Sequence, residues 1–180
     1  MNIMEINPES VTDGDGVRVV LYVSGCRMGC KGCHNPQSHD FNNGVPFTED
    51  TMQELLDLLN KPYISGLTLS GGNPLEPENL STVYNIIKRV RKELPSKTIW
   101  LYTGLTFREI QTLEDFYEEY EINSPSPFDI AKMCNVVVDG KYIDELRDIT
   151  LPFAGSSNQK LIDMQETLKQ GKVTQWKLNS

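Results

Sequence analysis

The sequence predicts an α/β fold built on a parallel sheet. Three observations point there. Runs of β-branched residues alternate with stretches of helical period through most of the 180 residues. The runs stop at turns rich in glycine and polar residues, as strands that feed helices do. Roughly five or six strands are foreseen, too few for a closed eight-stranded barrel. The length suits one domain, 1–180.

Val17 to Val23 is β-branched and ends at Ser24-Gly25, a strand feeding a loop. Ser38 to Pro46 is polar and reads as loop. Thr48 caps a helix whose first turn holds Glu49 and Asp50, favourable for the helix dipole. Met52, Leu55, Leu56 and Leu59 form its apolar face, and Pro62 marks its exit. Ile64 to Ser70 is the second strand, running into Gly71-Gly72-Asn73-Pro74. Two glycines permit a tight turn or close backbone approach to a ligand.

Glu76 to Leu94 is the next helix, with Pro77 in its first turn and Leu80, Val83, Ile87, Val90 and Leu94 as its stripe. Lys97 to Tyr102 is the third strand. Thr106 and Glu109 fit a capping box for a helix to about Glu119. Pro125 and Pro127 break the chain, and Phe128 to Met133 forms a short helix. Asn135 to Val138 is the fourth strand, closed by Asp139-Gly140, where Asp139 serves a ligand or a turn. Gly155-Ser156-Ser157-Asn158 reads as a helix cap, with Leu161, Met164 and Leu168 as the apolar face behind it. Gly171 ends that helix, and Val173 to Leu178 adds an edge strand. Trp100 belongs to the core, Trp176 to core or partner surface, and His39 to an exposed loop.

Charge and length exclude some functions. The net charge of −8 argues against a dominant phosphate-backbone role, hence no nucleic acid. No apolar run approaches a membrane span. Met1 to Glu5 lacks the basic and apolar regions of a signal peptide, so a reduced, cytoplasmic setting is expected for the four cysteines.

Three of those cysteines, Cys26, Cys30 and Cys33, fall within eight positions. Thiols so dense converge on a metal centre. A structural zinc site closes with four protein ligands. Iron–sulfur clusters are typically held by four cysteines, so three leave one iron open for chemistry. Cys134 is either a fourth ligand or a buried strand-flanking thiol. A zinc module using His34 or Cys134 is the non-enzymatic alternative.

Cys26-x3-Cys30-x2-Cys33 resembles the cluster motif of the radical S-adenosylmethionine (SAM) family. His34-Asn35-Pro36 after it and Thr12-Asp13-Gly14-Asp15-Gly16-Val17-Arg18 before it resemble the glycyl-radical-activating branch. Ser70-Gly71-Gly72-Asn73-Pro74 is similar to the Gly-Gly-Glu-Pro motif that holds the SAM amino group, with Asn73 for Glu. The segment Phe153 to Gln159 resembles the activating proteins of anaerobic ribonucleotide reductase. The likeness runs from Asp13 to about Leu161.

The resemblance implies a partial (β/α)6 TIM-like barrel, open on one side for a protein substrate. It implies a 4Fe-4S cluster on Cys26, Cys30 and Cys33, with SAM filling the open iron through its amino and carboxylate groups. Reductive cleavage by a flavodoxin-type donor would yield a 5′-deoxyadenosyl radical, which takes hydrogen from a C-terminal glycine loop of anaerobic ribonucleotide reductase. Pyruvate formate-lyase is the alternative partner. The family's usual aromatic before the third cysteine is Gly32 here, which leaves His34 to face the adenine. Gly71, Gly72, Asn73, Thr103 and Asp139 are the other SAM-binding residues expected. Asp13, Asp15 and Arg18 are expected to contact the substrate protein. Gly71→Val is expected to harm SAM affinity more than the fold.

Overall fold

A computed structural model describes residues 1–178. Its elements are strands β1 (Asn2–Ser10), β2 (Val17–Val23), β3 (Val45–Pro46), β4 (Ile64–Gly71), β5 (Thr98–Tyr102), β6 (Val136–Asp139) and β7 (Lys160–Asp163). Five helices join them: α1 (Glu49–Leu59), α2 (Pro77–Glu93), α3 (Phe107–Glu119), α4 (Pro127–Ala131) and α5 (Met164–Gln170). The strands form one sheet in the order β3-β1-β2-β4-β5-β6-β7. The centre, β2-β4-β5-β6, is parallel, and β1 and β7 flank it antiparallel.

Side chains alternate across the sheet, so each strand supplies two faces. Val19, Leu21, Val23, Leu67, Leu69, Ile99, Leu101 and Val137 share one core cluster with the apolar stripes of α1, α2, α3 and α4. The other face carries Trp100, Val136 and Val138, with Tyr102, Phe153, Leu161 and Trp176 packed on them. Trp100 meets Phe153 edge-on at 5.3 Å and Trp176 at 6.0 Å between centroids. Helices therefore cover one face only, which suits a mixed α/β architecture with an accessible second face.

Helix starts follow local chemistry. Thr48, Thr106 and Ser126 each close a capping box, and Pro77 opens α2. Two expectations at the C-terminal end fail. Leu161 does not begin a helix: Lys160–Asp163 pairs antiparallel with β6, because the open sheet edge satisfies its backbone groups better than one extra helical turn. The helix behind it is α5 alone, with Met164 buried and Leu168 exposed. Val173 to Leu178 makes one bridge, Gln175 to Ile162, rather than a strand. The N-terminal strand β1 has no counterpart among the expected elements, since polar residues and Pro8 interrupt its alternation.

Candidate metal centre at the carboxyl edge of the sheet

The parallel strands β2, β4, β5 and β6 all end on one edge, the end where α/β sheets bind ligands. A cleft of about 120 Å³ lies there. Cys26, Cys30 and Cys33 line it, opposite Gly71 at the end of β4 and Gly72 after it, Thr103 and Gly104 after β5, and Gly140 and Tyr142 after β6.

The cysteine loop is tied down at both ends of its first turn. Gly25 N donates to Ser38 O at 2.8 Å and Asn73 N donates to Gly25 O at 2.8 Å. Arg27 N donates to Glu76 Oε1 at 2.9 Å, and Arg27 Nη1 donates to Glu76 Oε2 at 2.7 Å. Glu76, just ahead of α2, is buried and makes no side-chain cap there; its carboxylate instead holds the cysteine loop. The Arg27 guanidinium also lies over the Phe41 ring at 4.3 Å and pairs with Glu78.

All three clustered cysteines are half-buried and free. Burial pushes the Cys26 thiol up; a hydrogen bond from Met28 opposes this, while Glu76 and the other two thiols add to it. Among the described residues no three His, Cys, Asp or Glu side chains converge closely enough to chelate a single ion. The thiols instead surround a shared cleft, an arrangement that fits a multi-iron cluster, whose cysteines bind separate irons. The fourth thiol is elsewhere. Cys134 is fully buried, donates to Ile130 O at 3.3 Å, and is pushed up to about 12 by desolvation. It is the strand-flanking thiol of the two readings, so three thiols line the cleft, and a 4Fe-4S cluster held there by them would keep one iron without a protein thiolate.

Gly71 and Gly72 line the cleft, yet their need for glycine comes from the scaffold. Gly71 has φ +104, and a Cβ there would stand 2.7 Å from both Val23 N and Val23 O. A Cβ on Gly72 would meet Gly25 O at 2.5 Å. Asn73 is buried below the rim: its Oδ1 accepts from Thr103 Oγ1 at 2.9 Å and from Leu75 N at 3.2 Å. Asp139 is likewise committed, accepting from Phe107 N at 2.9 Å and Lys160 N at 3.1 Å. It anchors the start of α3 to β7, and burial raises its carboxyl despite those bonds. Thr103 and His34 do line the cleft, and exposed His34 also lines three neighbouring clefts.

Arg18 is not available to a partner. It has 0% exposure and sits on the face opposite the helices. Its guanidinium donates to Thr68 Oγ1, Asp15 O, Thr98 Oγ1, Leu67 O and Thr98 O, and stacks 5.3 Å from the Trp100 ring. A long cationic side chain finds a complete set of neutral acceptors there, so it braces the loop ahead of β2 from below. Asp13 and Asp15 are half-exposed on that loop. Asp13 Oδ2 accepts from Ser10 Oγ and Thr12 Oγ1 at 2.5 and 3.1 Å.

Sequence reasoning missed Tyr142, Glu76 and Gln159 as site residues. Glu76 looks like the acidic start of a helix, and only the fold brings it to Arg27. Tyr142 and Gln159 lie in a segment whose period is neither helical nor extended.

This edge site defines an iron–sulfur protein. Residues 12–162 match the family described as a 4Fe-4S single cluster domain. The anaerobic ribonucleoside-triphosphate reductase-activating protein of Enterobacteria phage T4 is 40% identical over 161 residues, covering 89% of this chain and 93% of that protein. Its namesakes in Escherichia coli K12 and Haemophilus influenzae are 36% and 37% identical, each covering 88% of this chain and 96% of the relative. The chain belongs to this family of 4Fe-4S activating proteins. Among the described residues no helix is long and apolar enough to cross a membrane.

Proposed function

We propose that this chain activates anaerobic ribonucleoside-triphosphate reductase by generating a glycyl radical on it. The observation that carries the reading is the three-thiol cleft at the carboxyl edge, in a chain whose relatives bear that name. Cys26, Cys30 and Cys33 would hold the 4Fe-4S cluster, and SAM would occupy the open iron. Bound together, they supply one-electron reductive cleavage of SAM, the source of the radical that takes hydrogen from the reductase's C-terminal glycine loop.

The chain's own residues position and exclude. Gly71, Gly72, Thr103 and Gly104 keep the cleft wall opposite the cysteines low, which leaves room for the amino-acid end of SAM. Asn73 and Asp139 act from behind that wall, as braces for Thr103 and for the start of α3. His34, exposed where the clefts meet, faces whatever enters. The Asp13–Asp15 loop, held by Arg18, is the contact for the substrate protein. Holding the target glycine close before cleavage is what limits side reactions of a carbon radical.

A flavodoxin-type donor would approach the exposed turn at Gly29 and Lys31. The reading takes residues 1–180 as one radical SAM domain, working in the cytoplasm where thiols stay reduced. Its fold is a partial (β/α)6 barrel, supported by helices on one face and by the aromatic cluster lining the other.

The test is anaerobic. The protein is reconstituted with iron and sulfide, reduced, and its electron paramagnetic resonance recorded with and without SAM. A cluster signal that SAM alters, 5′-deoxyadenosine release, and a glycyl radical on the reductase are the expected results. A cluster blind to SAM overturns the reading. A radical formed only on pyruvate formate-lyase overturns the partner.

A further inference from the structure

Tyr142 is gripped between two glycines from different loops. A Cβ on Gly32, in the cysteine loop, would stand 3.4 Å from Tyr142 Cε1. A Cβ on Gly155 would stand 3.2 Å from Tyr142 Cδ2. These contacts fall on opposite edges of the ring. A side chain at Gly155 would crowd the ring itself, while one at Gly32 would strike Asp144 Oδ1 at 2.8 Å, the carboxylate that the Tyr142 hydroxyl bonds, and Gly32 has φ +73, which favours glycine by itself.

The Gly155–Gln159 loop sets this geometry. Gln159 Nε2 donates to Gly140 O at 2.9 Å, and Asn158 Nδ2 donates to Lys141 O at 3.0 Å. Ile143 N donates to Ser156 Oγ at 3.2 Å. Gln159 Oε1 in turn accepts from Gly155 N at 2.9 Å, which fixes the second glycine of the grip. The Ser-Ser-Asn-Gln stretch is thus a clamp on residues 140–143 and not a helix cap. The Tyr142 hydroxyl donates to Asp144 Oδ1 at 2.9 Å, which settles the remaining freedom of the ring.

Tyr142 is also where two clefts meet. The cysteine cleft holds about 120 Å³. Sites for ligands of drug size run to roughly 300–1,000 Å³, so a ligand of SAM's size anchored at the cysteines must continue into a neighbour. The adjoining cleft, about 510 Å³, shares His34, Tyr102, Tyr142 and Gln159 with it. Tyr102 is spent on the inner aromatic cluster, its hydroxyl donating to Phe153 O at 2.9 Å. Tyr142 is half-exposed to both clefts.

We infer that Tyr142 is the aromatic wall against which the nucleobase of SAM stacks. This rests on the SAM reading above and assigns its adenine subsite. The amino-acid end stays at the cysteines, and the base lies in the larger cleft along the Tyr142 ring. Offset or edge-on aromatic contacts are the stable geometries for such a pair.

Calorimetric titration of the anaerobically reconstituted full chain tests this, with SAM, S-adenosylhomocysteine and methionine as separate ligands. Tyr142→Leu keeps apolar bulk and removes the ring; Tyr142→Phe keeps the ring and removes the hydroxyl. The expected result is a loss of roughly two- to tenfold in affinity for both adenosyl ligands in Y142L. Methionine affinity stays unchanged, and Y142F binds like the wild type. Wild-type adenosyl affinity in Y142L, or an equal loss for methionine, overturns the inference. A wild-type protein that binds no SAM overturns the proposed function itself.

Discussion

Asn73 and Thr103 are joined side chain to side chain: the Thr103 hydroxyl donates to Asn73 Oδ1 at 2.9 Å, and both residues are buried. The bond ties the exits of β4 and β5, adjacent strands whose loops form one wall of the cysteine cleft. Thr103 Oγ1 also accepts from Leu105 N at 3.2 Å, so a single chain of bonds spans Leu75 to Leu105. Asn73→Ala leaves the Thr103 hydroxyl and Leu75 N short of an acceptor. A stability loss of about 1–3 kcal/mol is expected. A double-mutant cycle with Thr103→Val, read by urea unfolding, should show coupling between the two sites.

Gly71→Val is expected to damage the fold first, contrary to the expectation from sequence. The added carbon would strike the β2 backbone at Val23, and φ +104 strains any side chain. A positive-φ penalty of about 1–3 kcal/mol applies before the clash is counted. Gly29→Ala is the control. Gly29 also has positive φ, at +58, but nothing lies within 4 Å of its Cβ position. Urea midpoints should fall far more for Gly71→Val than for Gly29→Ala.

Single changes of Cys26, Cys30 or Cys33 to Ser should each abolish stable cluster incorporation, measured as iron and sulfide content and visible absorbance. Cys134→Ala should retain the cluster. Its cost is one of packing, about 1–2 kcal/mol, since the buried thiol behaves as a small apolar group. Loss of iron in Cys134→Ala with a folded chain would return Cys134 to the ligand set.

Glu109 sets an acid limit on α3. Its carboxylate accepts from Thr106 N at 2.7 Å and Thr106 Oγ1 at 2.8 Å, and the backbone bond chiefly holds its pKa below the model-compound value of 4.5. The unfolded chain therefore binds the proton more readily. The cap's contribution is full above about pH 4.5 and is lost as pH falls through the folded value. Glu109 is exposed, so solvent screening holds this contribution to about 0.3–1 kcal/mol. Glu109→Gln should flatten the stability profile in that acid window, read as melting temperature against pH.

Arg18→Lys should destabilise the chain despite conserved charge. An ammonium carries three donors on one atom and cannot reach acceptors spread over Asp15, Leu67, Thr68 and Thr98. Hydrogen bonds to charged groups are worth about 1.5–3 kcal/mol each, and more than one is lost. Faster proteolysis near Asp13 would accompany the unfolding shift, because the guanidinium holds that loop.

Much of the fold was legible because local rules agreed with one another. The strand at Val17–Val23, the stripes of α1 and α2, the cap at Thr48 and the capping box at Thr106 each carry their own signal. The clustering of the three cysteines was legible from their spacing, and all three line one cleft. Where rules compete, sequence reading failed. Leu161, Met164 and Leu168 have helical spacing, yet the free edge of β6 captured the first turn. Arg18 resembles an exposed contact in the chain, and a sheet face with spare carbonyls buried it.

The sequence by itself determined the chemistry: which thiols gather, how many they are, and that strands ending in glycine deliver them to one edge. Those are properties of residue type and near neighbours. Only the tertiary structure decided the roles of residues far apart. It took Cys134 out of the ligand set, turned Asn73 and Asp139 into braces, brought Glu76 under Arg27, and set Tyr142 between Gly32 and Gly155. Most of these outcomes depend on which strand lies beside which, and contacts such as Asn73 to Thr103, Arg27 to Glu76 and Gly32 to Tyr142 have no local signature.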